Sequence, residues 1–185
     1  ISTRDWSSDV CSSDLAYLGA VPGSKVLCVD DPTTARLANK HGAITYGLEA
    51  GDFSTRDLRF IDGGARFAVL HAGQHHEVEL PLRGEHNVRN FLAAYAMAVQ
   101  LDVDGKTAAA AVRDFAGVNR RFEVRARDGG ATFVDDYAHL PAEIAAVLRG
   151  VRAGDEQWNR IIAVFQPNRF NRMAVMSDAY RDAFV

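Results

Sequence analysis

The stretch KVLCVDDPTTARLANKHGAITYG, Lys25–Gly47, decides the fold. It opens on a short apolar run, Lys25–Val29, that Asp30-Asp31-Pro32 brings to an end. Such a run reads as a buried parallel strand. Asp31 or Pro32 then opens a helix over Thr33–His41, and Gly42 stops it. Ala43–Tyr46 reads as a second short strand. Strands separated by a helix point to an α/β architecture.

Outward from this unit the pattern changes. Arg56–Ile61, Ala65–His71 and His76–Leu82 read as an antiparallel meander with turns at Asp62-Gly63-Gly64 and Ala72-Gly73-Gln74. Val78, Leu80 and Leu82 alternate with Glu77, Glu79 and Pro81, as in a half-buried edge strand. A long helix is predicted from about Asn87 to Gln100, with Val88, Phe91, Leu92, Tyr95 and Val99 on one apolar face. A second helix covers Thr107–Ala116. Arg121–Arg127 and Ala131–Asp135 form a hairpin across Asp128-Gly129-Gly130. Pro141–Gly150 is a helix with proline in its first turn. Ile161–Phe165 reads as another buried strand, and Met173–Phe184 as a further helix. The domain boundary is expected at Gly117–Asn119.

Composition narrows the function classes. The 185 residues are 48% hydrophobic and 24% charged, with formal net charge −3, which is the profile of a globular chain. A negative balance argues against nucleic acid as a partner. No apolar run approaches the ~18–20 residues of a membrane span, so no membrane partner is expected. Two cysteines, Cys11 and Cys28, do not make a disulfide framework. Lysine is scarce: Lys25, Lys40 and Lys106 are the three present.

Residues Ile1–Leu15, ISTRDWSSDVCSSDL, stand apart, with five serines, three aspartates and no period. They lack the apolar core of a secretory signal. Arg4–Leu15 matches the translation of a common sequencing-adapter oligonucleotide, so residues 1–15 are expected to be foreign to the fold. Without them Cys28 and Trp158 are the single cysteine and tryptophan, which suits a reducing cytoplasm.

Four polar clusters stand beside the predicted elements. In Gly84–Asn90 (GEHNVRN), Asn87 and Asn90 lie three apart and share a helix face. Their amides suit the edge of adenine, but Asn87 also suits a helix cap. In Asn119–Glu123 (NRRFE), a guanidinium of the arginine pair either clamps a phosphate or is solvated. Asp135–Glu143 (DDYAHLPAE) puts an aspartate, a tyrosine and a histidine between a strand and a helix, where α/β sheets bind ligands. Capping of the next helix would need one acid only. In Phe165–Arg172 (FQPNRFNR), Arg169 and Arg172 either hold an anion or lie on the surface. Gly105-Lys106-Thr107 imitates the end of a P-loop, but the glycine required five positions earlier is Gln100. His71, His75 and His76 sit in a meander turn without ligands at metal-binding spacing, and no metal ligand is assigned.

Taken in order, CVDDP (Cys28–Pro32), ITYG (Ile44–Gly47), GEHNVRN, GVNRRFE (Gly117–Glu123), VDDYAHLPAEI (Val134–Ile144) and VFQPNRFNR (Val164–Arg172) resemble the ATP-dependent Mur ligases of peptidoglycan synthesis. The resemblance covers Ala16–Val185. It implies a partial P-loop-type central domain over residues 16–118 and a partial Rossmann-like C-terminal domain over 119–185. It implies ATP and Mg2+ as cofactors, with the P-loop lysine, the magnesium ligands and the UDP-binding domain having no counterpart in these residues. The nearest branch joins L-alanine to UDP-N-acetylmuramate. Gln166-Pro167 fits that branch better than the one that recycles murein tripeptide. A nucleotide-binding fragment without chemistry is the further alternative. Carried over by position, Asn87 and Asn90 fall near the adenine, Arg121 on the nucleotide phosphates and Asp136 by the ribose. His139, Arg169 and Arg172 fall near the incoming amino acid. The family usually has a second histidine where this chain has Leu140, and a histidine where it has Asn168. The fragment alone is expected to be inactive.

Overall fold

The computed structural model describes residues 12–153 and 158–184. Most of the adapter-like segment therefore lies outside the described residues. Its end is continuous with a helix, α1 (Ser12–Ala20), that crosses the expected boundary at residue 15.

The deciding stretch forms β1 (Val26–Cys28), α2 (Pro32–His41) and β2 (Ile44–Tyr46). The two strands pair in parallel, Val26 opposite Ile44 and Cys28 opposite Tyr46. Both are half-buried rather than fully buried. The caps are those the sequence predicts. The Asp31 carboxylate accepts from the Thr33 and Thr34 N–H groups at 2.8 and 2.9 Å. Pro32 enters the first turn, where a missing N–H costs nothing. Gly42 takes φ 57°, ψ 41°, the left-handed end that closes a helix.

The meander is β3 (Ser54–Ile61), β4 (Gly64–His71) and β5 (Gln74–Leu80), antiparallel in the order β3-β4-β5. β5 lies at an edge, with Val78 and Leu80 buried and Glu77 and Glu79 exposed. After it come α3 (Glu85–Gln100) and α4 (Gly105–Ala111). Phe53, Phe67, Val69, Leu80, Val88, Leu92 and Tyr95 fill one core between the meander and α3. Phe91 meets Phe67 edge-on with ring centroids 5.6 Å apart, a favoured aromatic arrangement. α3 also packs on β1 and β2. Arg89 fastens that contact: its Nε lies 2.6 Å from Asp30 Oδ2, and Asp30 accepts the Leu48 N–H at 3.1 Å.

The hairpin is β6 (Glu123–Asp128) with β7 (Ala131–Asp135), followed by α5 (Pro141–Ala153), α6 (Phe170–Val175) and α7 (Ser177–Asp182). Ile144, Leu148, Tyr180 and Ala183 form a second core, against which Phe165 packs. The Tyr180 hydroxyl donates to the His139 carbonyl at 2.7 Å and ties α7 to the loop before α5.

Three expectations need correction. Ile161–Phe165 is not a strand: Ile162 and Val164 are exposed, and no neighbour pairs with the run among the described residues. Apolar character sets a tendency to bury, but only a partner's ladder holds a strand. The helix expected over Thr107–Ala116 starts earlier, at Gly105, because the Asp104 carboxylate caps it through the Thr107 N–H at 2.9 Å, and it ends at Ala111. The helix expected over Met173–Phe184 is two short helices broken at Met176, whose ψ of 22° departs from helical geometry. The overall class is mixed α/β.

Candidate functional site

Three of the four polar clusters meet around one cavity of about 670 Å³, inside the usual range of ~300–1,000 Å³ for small-molecule sites. Its wall carries Asn87, Asn90, Arg121 and Asp136, with His86 and Glu143 beside them. Leu82, Phe115, Val118, Phe122 and Val147 supply apolar surface. An apolar wall with a few convergent polar groups is the usual make-up of a small-molecule site.

α3 delivers the two asparagines. Their spacing of three places both on the cavity side. Asn87 does not cap the helix: Gly84 is the cap residue and makes no side-chain cap bond. Asn87 Nδ2 instead donates to the Arg83 carbonyl at 2.8 Å, which satisfies a backbone group in the turn before α3. Asn90 is exposed at the cavity wall.

Arg121 sits in a constrained loop. Arg120 and Phe122 on either side of it have φ of 59° and 51°, a left-handed backbone that side chains rarely adopt. Asp136 holds that loop. Its Oδ2 accepts from the Phe122 N–H at 2.8 Å, and its Oδ1 accepts from the Ala138 N–H at 2.7 Å. The Tyr137 N–H adds a bond to the Arg120 carbonyl at 2.7 Å. The guanidinium carbons of Arg120 and Arg121 lie 5.1 and 5.8 Å from the centre of the Tyr137 ring, within cation–π reach. Oδ2 of Asp136 thus holds the loop that presents Arg121, while its Oδ1 closes a turn within its own segment.

His86 was missed as a site residue, although it stands in the quoted motif directly before Asn87. Burial pushes its imidazole pKa below the ordinary value of 6.5. Asp136 acts the other way, while Arg121, Arg89 and Arg149 reinforce the lowering. Glu143 reaches back from the first turn of α5 to accept the His139 and Leu140 N–H groups at 2.9 and 3.1 Å, half of a capping box. Burial opposes its ionisation, but these two bonds together with the charges of His139 and Arg121 outweigh it and hold the carboxyl below the usual range. The capping that the third cluster allowed falls to Glu143, which leaves Asp136 for the loop.

His139, Arg169 and Arg172 do not join this cavity. Arg169 and Arg172 line a separate, wider cavity of about 1,220 Å³ with Leu140, Ala142 and Met176. Ala142 borders both cavities, so they flank the start of α5. Arg172 Nη1 is buried there without a hydrogen-bond partner. His139 turns its Nδ1 towards Glu143 at 3.4 Å and the Tyr137 carbonyl at 3.1 Å. Among the described residues no cluster of three His, Cys, Asp or Glu side chains is arranged to hold a metal. No helix among them is long and apolar enough to cross a membrane.

Two family domains match this chain in order. The Mur ligase middle domain matches residues 18–98, and the glutamate ligase domain of Mur ligases matches residues 120–185. UDP-N-acetylmuramate–L-alanine ligase of Rubrobacter xylanophilus is 41% identical over 180 residues, covering 95% of this chain and 40% of the relative. The enzyme of the same name from Dinoroseobacter shibae is 38% identical over 169 residues, covering 88% of this chain and 36% of the relative. The crystal structure of UDP-N-acetylmuramate–alanine ligase from Thermotoga maritima superposes with a TM-score of 0.66 at 26% identity, over 86% of this chain and 39% of that one. The chain thus spans well under half the length of these relatives. With the middle domain and the glutamate ligase domain matched in order over most of its length, the chain belongs to the Mur ligase family.

Proposed function

We propose that this chain is the nucleotide-facing part of an ATP-dependent ligase that joins L-alanine to UDP-N-acetylmuramate in peptidoglycan synthesis. The observation that carries the reading is the single cavity that brings Asn87 and Asn90 together with Arg121 and Asp136. The names of the relatives support the choice of L-alanine and of the UDP-sugar. ATP and a nucleotide-sugar as substrates make the cytoplasm the site of the reaction.

The carboxylate of the UDP-sugar attacks the γ-phosphate of ATP, giving an acyl phosphate and ADP. The amine of L-alanine then attacks the acyl carbon, a proton leaves the nitrogen, and phosphate departs. Both steps gather negative charge on oxygens, so fixed cations govern them. Asn90, with Asn87, would pair with the adenine edge. Arg121 would face the phosphates, held in place by Asp136 rather than by solvent. Asp136 lies near the ribose in this reading, although both of its oxygens already accept backbone N–H groups. Arg172, with a buried guanidinium nitrogen awaiting a partner, and Arg169 would take the amino-acid carboxylate. His139 would stand close by. Mg2+ would bind mainly through the nucleotide phosphates, since no three His, Cys, Asp or Glu side chains cluster among the described residues.

The two cores support a division into a P-loop-type central part, residues 16–118, and a Rossmann-like C-terminal part, residues 119–185. The test is a chimera. Residues 16–185 replace the matching stretch of a full-length UDP-N-acetylmuramate–L-alanine ligase, and ADP release is followed. Release that requires both UDP-N-acetylmuramate and L-alanine is expected. Release driven by murein tripeptide instead of L-alanine contradicts the substrate assignment.

A further inference from the structure

Two glycines meet where the two cores approach each other. Gly84 occupies the cap of α3 at a φ of +85°, a backbone conformation that itself favours glycine. Gly150 stands inside α5, where alanine suits the helix better. A glycine inside a helix calls for a packing reason, since alanine would hold the helix better. Here the reason is direct. A Cβ on Gly150 would lie 3.2 Å from the Gly84 Cα, 3.5 Å from its nitrogen and 3.8 Å from the Arg83 carbonyl carbon. A Cβ on Gly84 would lie 3.2 Å from the Gly150 Cα and 2.9 Å from the His86 ring, at a φ of +85°. Both glycines are buried. The backbones of the α3 cap and of α5 are therefore in contact with no side chain between them.

That contact borders the cavity, which Gly150 itself lines. Asn87 and Asn90 follow Gly84 within two turns of α3. Arg121 and Asp136 stand on the side of α5. A second link runs parallel to the first: the Arg83 guanidinium carbon lies 5.4 Å from the centre of the Phe122 ring, one residue from Arg121. We propose that Gly150 is a positioning residue. Its backbone contact with Gly84 sets the separation of α3 and α5 and so aligns the asparagine pair with Arg121. The alignment part rests on the nucleotide reading above, whereas the separation itself does not.

The experiment uses the whole chain with Cys11→Ser and Cys28→Ala, and nitroxide labels on Ala94→Cys in α3 and Ala153→Cys in α5, both exposed positions. Pulsed electron resonance gives the distance between the labels in Gly150, Gly150→Ala and Gly150→Leu chains. Helix pairs spread by ~2 Å as contact side chains grow. The account therefore expects a narrow distribution for the parent, a small shift for alanine and a shift of ~2 Å or a clear broadening for leucine. Circular dichroism checks that α5 persists, as leucine and alanine both favour it. In parallel, contact of ADP with each chain is read by saturation-transfer resonance, and a graded loss from glycine to leucine is expected. Distances unchanged in the leucine chain overturn the proposal. Distances that move while ADP contact stays constant overturn the positioning role. Distances that move in a chain whose parent shows no ADP contact uphold the separation and refute the nucleotide reading instead.

Discussion

At the scale of single residues, the loop that presents Arg121 depends on Asp136, and the cavity wall depends on His86. Asp136 acts through charge-assisted bonds to two backbone N–H groups, each stronger than a neutral bond. His86 makes a prediction in pH. Burial lowers its pKa below 6.5, so the unfolded chain binds the proton more readily than the folded one. Stability should then be highest above about pH 6.5 and fall as the pH drops below it, down to the folded-state pKa. The lowered carboxyls of Asp31, Asp52 and Glu143 act only below their ordinary values of 3.8 to 4.5, outside this window. Urea midpoints measured from pH 8 to pH 5 should show a slope in the parent chain that His86→Gln flattens. An equal slope in both chains would exclude His86 as its source. That Asn87 and Asn90 share a helix face was legible from their spacing of three, whereas a role towards adenine is implied only by the family resemblance. The task of Asp136 was not legible, because its partners Phe122 and Ala138 come together only once the hairpin between them has closed.

At the scale of elements, short-range chemistry was read well and long-range pairing was not. α2 shows the first case. An aspartate, a proline and a glycine in sequence predict its start and stop, and the structure uses all three. Asp31→Ala should remove the cap of α2 and cost about 1 kcal/mol in chemical denaturation at neutral pH. The difference from the parent should shrink below pH 4, where the Asp31 carboxyl begins to protonate. A difference that persists at low pH would assign the loss to something other than the carboxylate. The run Ile161–Phe165 shows the second case. Its apolar pattern equals that of β1, yet β1 has β2 beside it and this run has no paired neighbour among the described residues. Composition carries no information about whether a partner strand is at hand.

At the scale of the whole molecule, two cores face each other across one cavity, and the family assignment rests on motifs from both sides of it. The sequence placed the motifs in order. It did not tell that the GEHNVRN and NRRF clusters share a cavity while Arg169 and Arg172 line another, because that depends on how α5 packs against the cap of α3. Adenine nucleotide in the first cavity is the central claim. Asn90 and Arg121 are the clean probes, since both are exposed, whereas Asn87 also holds the Arg83 carbonyl. The most direct measurement is saturation transfer from the chain to ADP. The account predicts transfer to the adenine protons that Asn90→Ala weakens several-fold, and binding that Arg121→Ala weakens for ADP far more than for adenosine. Absence of transfer, or transfer that neither substitution alters, would contradict it.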